Sequence, residues 1–290
     1  MSAGASRGRT ARWRRAGPTV PGRRLGKELK RLRAAIGKTQ AEVGEYVGTP
    51  ATTISKIENA QRNAPLPHLK LMLQLYGVSP AHAEYLHQLA QQAKERGWWA
   101  DYGEIVPKWF TEYVSLESAA GAVWTYEQEA VPGLLQTETY AKAMTDAVHS
   151  ESAEEFARVR ATRQQRLTDN TPMVLRAVLS ETVLHRHVGG PEVMREQLAR
   201  LRDAITQPNI TVQILPFAVG PHPGMAGPFA MLRFAERLMN LVYVELRGGS
   251  VYLERPEDLD LHEATFEHLS DLALSGADTA SLLTEMERRY

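Results

Sequence analysis

The stretch Thr39–Gln61, TQAEVGEYVGTPATTISKIENAQ, restricts the fold more than any other in this 290-residue chain. Thr39 followed three residues later by Glu42 has the form of a capping box, in which side chain and backbone satisfy each other's donors at a helix start. The helix so opened carries Val43, Tyr46 and Val47 inward and stops after about two turns at Gly48, which tolerates the left-handed turn that ends a helix. Thr49-Pro50 restarts the chain, with the cap at Thr49 or Pro50 and Pro50 suited to a first helical position. Ile54 and Ile57 then form the buried face of a second short helix, and the same spacing turns Ala51, Thr52, Ser55 and Lys56 outward.

Helical patterns flank this pair. Leu25, Leu29, Leu32 and Ile36 fall on one stripe, with Lys27, Lys30, Arg31 and Arg33 around it, and Gly37 ends the run. After a loop from Gln61 to Pro67, Leu69, Met72, Leu73 and Tyr76 mark a fourth helix, and a fifth runs from about Ala81 to Arg96. Residues 22–97 therefore read as a five-helix bundle. Residues 1–21, with five arginines and no apolar periodicity, read as a disordered basic arm, which either adds phosphate or minor-groove contacts or has no role.

Residues 98–109 read as a junction holding Trp98, Trp99 and Trp109. Beyond it the texture changes, and residues 110–290 read as an α+β domain. Helical periodicity covers about 110–168 and Pro191–Ile205. Strand-like runs occupy Met173–Leu179, Ile210–Leu215, Phe229–Phe234, Leu241–Leu246 and Ser250–Glu254, the last two joined by a hairpin turn at Arg247–Gly249. A final helical stretch, Leu261–Met286, is interrupted at Gly276. The expected fold is thus mainly α, with a mixed helix and antiparallel-sheet second domain.

The zero net charge of the whole chain hides a division. Residues 1–100 carry 17 Lys/Arg against 6 Asp/Glu, and residues 101–290 carry 17 against 28. A basic end joined to an acidic one is the pattern of a nucleic-acid-binding part attached to a sensing or protein-binding part. Cysteine is absent, which excludes disulfides, thiol nucleophiles and Cys-ligated metals, and fits a cytoplasmic location. No apolar run is long enough for a membrane span.

Two short helices about a glycine turn, with small polar side chains leading the second, suit a helix-turn-helix. The second helix must enter a major groove about 12 Å wide and keep its inner face on the first. Thr39–Gln61 resembles the Cro/C1-type (xenobiotic-response-element) helix-turn-helix through Gln40, Val43, Gly48, Ile54, Ser55 and Glu58. The resemblance implies that Gln40 contacts phosphate and braces the reading helix, and that positions 51, 52 and 56 face base edges. Gly44 departs from the usual alanine, Pro50 from the usual Ser/Thr cap, and Asn59-Ala60 from a closing glycine. Ala51 replaces a frequent glutamine, which substitutes thymine-methyl contact for bidentate adenine readout. Base reading is accordingly expected from Ala51, Thr52, Ser55 and Lys56. Phosphate contact is expected from Lys27, Lys30, Arg31, Lys38, Gln40, Thr53 and Arg62 on double-stranded DNA. A homodimer is expected, because such motifs read palindromic sites.

The segment Val131–Ala141, VPGLLQTETYA, resembles the VPGLLQT-x-x-YA signature of a C-terminal domain found behind such helix-turn-helices in antitoxin-like bacterial regulators. Glu181–Leu201, Ile214–Pro216 and Val242–Glu245 extend the likeness over about 110–285. It implies a bacterial transcriptional regulator whose partner is a small protein encoded by a neighbouring gene. Physically, Pro132-Gly133 gives a turn, Leu134-Leu135 an apolar anchor, and Gln136, Thr137 and Tyr140 either a rigid corner or the floor of a ligand or peptide site. The loop Gly220–Pro228, with His222 and Met225, reads as a partner clamp or a wide connection. Three roles for this domain stay open: dimerisation and regulation, sequestration of a small partner with DNA binding secondary, and small-molecule sensing.

Catalysis and cofactors are not expected. His185 and His187 do not share a helical side, and His262-Glu263 precedes His268 by the wrong spacing for two ligands on one face. H-E-x-x-H, a P-loop and a strand-linked G-x-G-x-x-G are all absent.

Overall fold

The computed structural model describes residues 20–94, 108–148, 153–235, 237–247 and 249–290. The expected arm falls outside these residues up to position 19, as do residues 98–107 of the expected junction.

The N-terminal bundle contains α1 (Val20–Ala35), α2 (Gln40–Val47), α3 (Ala51–Glu58), α4 (Leu66–Tyr76) and α5 (Pro80–Gln92). Its core joins Leu25, Leu29 and Leu32 of α1 to Val43, Val47, Ile54, Ile57, Leu69, Met72, Leu73 and Tyr76, then to Leu86 and Leu89 of α5. Two expected inward residues stay outside. Ile36 is exposed because α1 ends at Ala35 and Gly37 turns the chain with φ +66°. Tyr46 is also exposed, since an eight-residue helix buries only the stripe through Val43 and Val47.

The second part is built on a six-stranded sheet among the described residues, ordered β3-β2-β1-β4-β5-β6. The strands are β1 (Ala122–Glu127), β2 (Val174–Ser180), β3 (Ile210–Leu215), β4 (Phe229–Arg233), β5 (Leu241–Leu246) and β6 (Gly249–Leu253). Antiparallel pairing links β1 to β4, β4 to β5 and β5 to β6. Strands β1, β2 and β3 run parallel, so the sheet is mixed and the antiparallel expectation holds for one half of it. The reason lies in the connections, because parallel neighbours need long crossovers. Helices α7 (Glu138–Val148) and α8 (Ala153–Gln165) lie between β1 and β2; α9 (Thr182–His185) and α10 (Pro191–Ile205) lie between β2 and β3.

One face of the sheet carries α6 (Lys108–Ala119) and residues of α7, α8 and α10, together with Leu283 and Met286 of α12 (Gly276–Arg289). The other face is covered by α11 (Pro256–Leu272), through Leu259, Phe266 and Leu269 against Tyr126, Val178, Met231 and Val242. The break between the last two helices falls at Ala273–Ser275. Ser275 caps α12 by accepting from the Asp278 amide at 3.2 Å, and Gly276 is the first helical residue. Strand β1 occupies a stretch whose sequence reads as helix.

Candidate nucleic-acid interface

The capping box forms as its sequence dictates. The Glu42 amide donates to Thr39 Oγ1 at 3.2 Å, and the Thr39 amide donates to Glu42 Oε2 at 2.8 Å. Lys38 Nζ donates to the same carboxylate at 2.7 Å, and this bond, followed by those from Thr39, lowers the Glu42 carboxyl to about 2. Gly48 closes α2 in the left-handed region at φ 75°.

The glycine at position 44 has a steric cause. A Cβ there would lie 2.5 Å from the Thr49 carbonyl oxygen and 3.2 Å from the Ala51 amide. The turn backbone therefore packs directly on α2, closer than alanine permits. Gly26 plays the same part where α1 meets α3, since its Cβ would lie 2.4 Å from the Glu58 carbonyl oxygen. Pro50 is the residue that caps α3, and no side chain bonds the free amides there.

Helix α3 divides as its spacing requires. Ile54 and Ile57 are buried, Thr52 and Lys56 are exposed, and Ala51 and Ser55 are half-buried on the outward side. Asn59 Nδ2 donates to Ser55 Oγ at 3.4 Å. Thr53, expected to touch phosphate, is instead buried, because it falls on the inward side one residue before Ile54.

Glu58 holds this helix in place; the sequence matches it to the helix-turn-helix pattern but gives it no role. Its carboxylate is buried, accepting from Arg33 Nε at 2.6 Å, Arg33 Nη2 at 3.0 Å and Gln40 Nε2 at 2.8 Å. Arg33 Nη1 also donates to the Lys38 carbonyl at 2.8 Å. Three helices thus meet at one carboxylate, and the bidentate arginine fixes direction as well as distance. Gln40 braces α3 through this bond. The available signal was an acidic residue next to Ile57 at a position where the helix turns inward.

The expected phosphate-binding residues divide. Lys30 is exposed and Arg62 half-buried; Arg31 is exposed and bonded to Glu28 at 2.8 and 2.6 Å; Lys38 is held by Glu42. Lys27 lies elsewhere. Its amine stands 2.9 Å from Glu254 just beyond β6, beside Arg23, which contacts Glu254 and, at 3.4 Å, Glu112 of α6. Burial, then the charge of Arg23, lowers Lys27 to about 8. Its ion pair joins the bundle to the sheet domain.

In the second domain the VPGLLQT segment is stitched to its surroundings. Leu134 and Leu135 are buried in a short 3₁₀ turn, Gly133–Leu135. Gln136 Nε2 donates to the Val131 carbonyl at 2.7 Å, and the Val131 amide donates to the Tyr140 hydroxyl at 3.3 Å. Gln197 accepts from the Thr137 amide at 2.8 Å and donates to the Leu135 carbonyl at 2.9 Å. Gln164 donates to the Gly133 and Gln136 carbonyls at 3.0 and 2.8 Å. These bonds tie Gln136, Thr137 and Tyr140 to the turn and to α8 and α10.

His222 and Met225 are not brought to that corner. His222 packs edge-on to Tyr126 at 6.0 Å, whereas Met225 is exposed. Gly224 between them lies so close to Tyr126 that a Cβ would approach its ring to 2.6 Å.

A basic bundle in which a braced helix presents small polar side chains and a lysine to solvent belongs to the helix-turn-helix class of DNA-binding regulators. Comparison with known families agrees, since residues 24–99 match a helix-turn-helix domain. Residues 110–285, more than half of the chain, match the family described as a domain of unknown function (DUF5753), and the chain belongs to that family. No curated protein and no solved structure matches it. Among the described residues, no helix is long and apolar enough to cross a membrane.

Proposed function

We propose that the chain is a sequence-specific transcriptional regulator of the Cro/C1 subtype, which inserts α3 into the major groove and reads bases with Ala51, Thr52, Ser55 and Lys56. The observation that carries this reading is the Glu58 carboxylate, which ties α3 to Arg33 and Gln40 while leaving Thr52 and Lys56 exposed. A reading helix must be held rigidly from behind, because base contacts tolerate little misplacement.

In this reading the protein acts as a dimer in a bacterial cytoplasm, has no catalytic role, and uses Lys30, Arg31, Lys38 and Arg62 for phosphate contact. The DUF5753 domain regulates DNA binding, by sensing a small molecule or by receiving a small protein partner in the antitoxin-like manner. Selection of fragments from a random DNA pool by the full chain tests the proposal. The expected result is a two-fold related motif with half-sites about 34–36 Å apart. The Lys56→Ala variant should lose about 1–3 kcal/mol at one base position if the lysine reads guanine. Enrichment without a motif, or equal weakening of all sequences by that variant, would overturn it.

A further inference from the structure

Helix α1 touches both parts of the chain, through different sides. Arg23 and Lys27, one turn apart, share one side, and Gly26 and Arg33, two turns apart, share another. The first pair faces the sheet domain. Lys27 Nζ lies 2.9 Å from Glu254, and Arg23 contacts Glu254 and, at 3.4 Å, Glu112 of α6. The Arg23 guanidinium also lies 5.3 Å from the centre of the Tyr252 ring in β6. Tyr252 packs on Tyr243 at 5.5 Å, and Tyr243 on Tyr113 of α6 at 4.3 Å, so this grip is rooted in the core of the sheet domain.

The second pair faces α3. Gly26 is buried against the last residue of that helix, where an added Cβ would stand 2.4 Å from the Glu58 carbonyl oxygen and 3.0 Å from that of Ile57. Arg33 holds the Glu58 side chain, with Nε at 2.6 Å and Nη2 at 3.0 Å. Helix α1 therefore fixes Glu58 at both backbone and carboxylate. Two positions earlier stands the exposed Lys56, whose carbonyl accepts from the Gln61 and Arg62 amides at 2.8 and 3.2 Å.

A helix passes a displacement along its axis as a rod, and Arg23 to Arg33 spans about 15 Å of that axis. At Gly26 the two backbones meet directly, so no flexible side chain is there to absorb a shift, and close packing hands the strain on. At the other end, burial disfavours the charges of Arg23 and Lys27. Glu254 and Glu112 offset that cost, so a change at those carboxylates changes where α1 rests.

We propose that α1 is a lever by which the sheet domain sets the position of the reading helix, with Arg23 and Lys27 as positioning residues that act through α1 rather than on DNA. Glu254 and Glu112 grip one side of the lever, and Gly26 and Arg33 carry that grip to Glu58. The inference rests on α3 being the helix that reads DNA, and it gives the regulatory domain a physical route to that helix. A ligand or partner that shifts β6 or α6 would change DNA affinity without approaching the DNA. Base contacts tolerate so little misplacement that a small movement of α1 is enough.

The test is amide hydrogen exchange of the full chain without DNA, so failure of the lever is distinct from failure of DNA recognition. Glu254→Ala, in the other domain, should lower protection of the Ile54–Gln61 amides about threefold relative to α4, with β2 and β3 unchanged. Lys27→Ala should do the same. Arg255→Gln should not, because Arg255 is exposed and paired with Asp258. Arg33→Lys breaks the far grip. Substitutions so far apart ordinarily add, but the double variant with Glu254→Ala should lose no more α3 protection than Arg33→Lys alone. On a DNA fragment selected by the parent chain, Glu254→Ala should weaken binding about fivefold with the salt slope unchanged. If selection yields no motif, exchange alone decides the lever. Protection of α3 indifferent to Glu254→Ala, equal loosening of α3 and α4, additive effects in the double variant, or unchanged affinity for a selected fragment would each overturn it.

Discussion

Lys27 Nζ and Glu254 Oε2 stand 2.9 Å apart and join the first helix of the bundle to the chain just after the last strand of the sheet. The lysine belongs by sequence to the basic surface that would meet DNA, but the fold spends it on a carboxylate of the other domain. Lys30, one turn further along the same helix, is exposed. The two lysines should therefore differ in the salt dependence of DNA binding. Lys30→Ala should lower the slope of log affinity against log salt by about 0.9, the value for one phosphate contact. Lys27→Ala should leave that slope unchanged. Fluorescence anisotropy over a salt series measures both, and equal slopes for the two variants would place Lys27 on phosphate.

Glu58 should be the most sensitive polar position in the bundle. Replacing it with glutamine removes the anion between Arg33 and Gln40 and leaves the arginine, itself largely buried, without a partner. Breaking a buried pair from one side costs about 3–5 kcal/mol. Urea denaturation of Glu58→Gln should show a loss near the lower end, because Arg33 keeps its bond to the Lys38 carbonyl. A loss below about 1 kcal/mol would place this contact among ordinary surface ion pairs.

Gly44→Ala should destabilise the bundle, although alanine is the better helix former. Its Cβ would sit 2.5 Å from backbone at Thr49, which cannot swing aside as a flexible side chain would. Overpacking of this kind costs about 1–3 kcal/mol, which outweighs the gain of up to about 1 kcal/mol from helix propensity. The midpoint of thermal unfolding should fall, and DNA affinity with it. A rise in midpoint would show that the turn relaxes.

The cap of α2 should fail in acid. Glu42 has its carboxyl lowered to about 2, first by the Lys38 bond and then by Thr39. A carboxylate lowered in the folded state contributes stability that is present above its unfolded value and lost as pH falls towards its folded one. Amide exchange at the start of α2 should therefore quicken between about pH 4.5 and pH 2, after correction for intrinsic rates. Thr39→Ala should weaken the same amides at neutral pH, at a cost of about 1 kcal/mol. Protection that stays level over that pH range would show that the pair contributes nothing.

Much of the bundle was legible because its information is local. A capping box, a left-handed glycine and apolar residues at helical spacing are each set by neighbours a few positions away, and they placed α2, α3 and the outward face of α3. Helix α10 and strands β3 and β5 were legible for the same reason, as continuous runs bounded by breakers. Strand β1 was not. Its residues AVWTYE lie between two helical patterns, and it is paired on both sides with strands about 50 and 110 positions away. Its central place comes from those pairings, and with it comes the mixed character of the sheet.

The sequence by itself determined which short helices form, where they stop and which of their side chains face outward, because backbone sterics and helical periodicity act within a few residues. Tertiary structure alone decided which charges meet. Glu58 lies 25 residues from Arg33 and 18 from Gln40, and Lys27 reaches Glu254 from the other domain. Ion pairing depends on distance in space and on local burial, and neither is written in the spacing of residues along the chain.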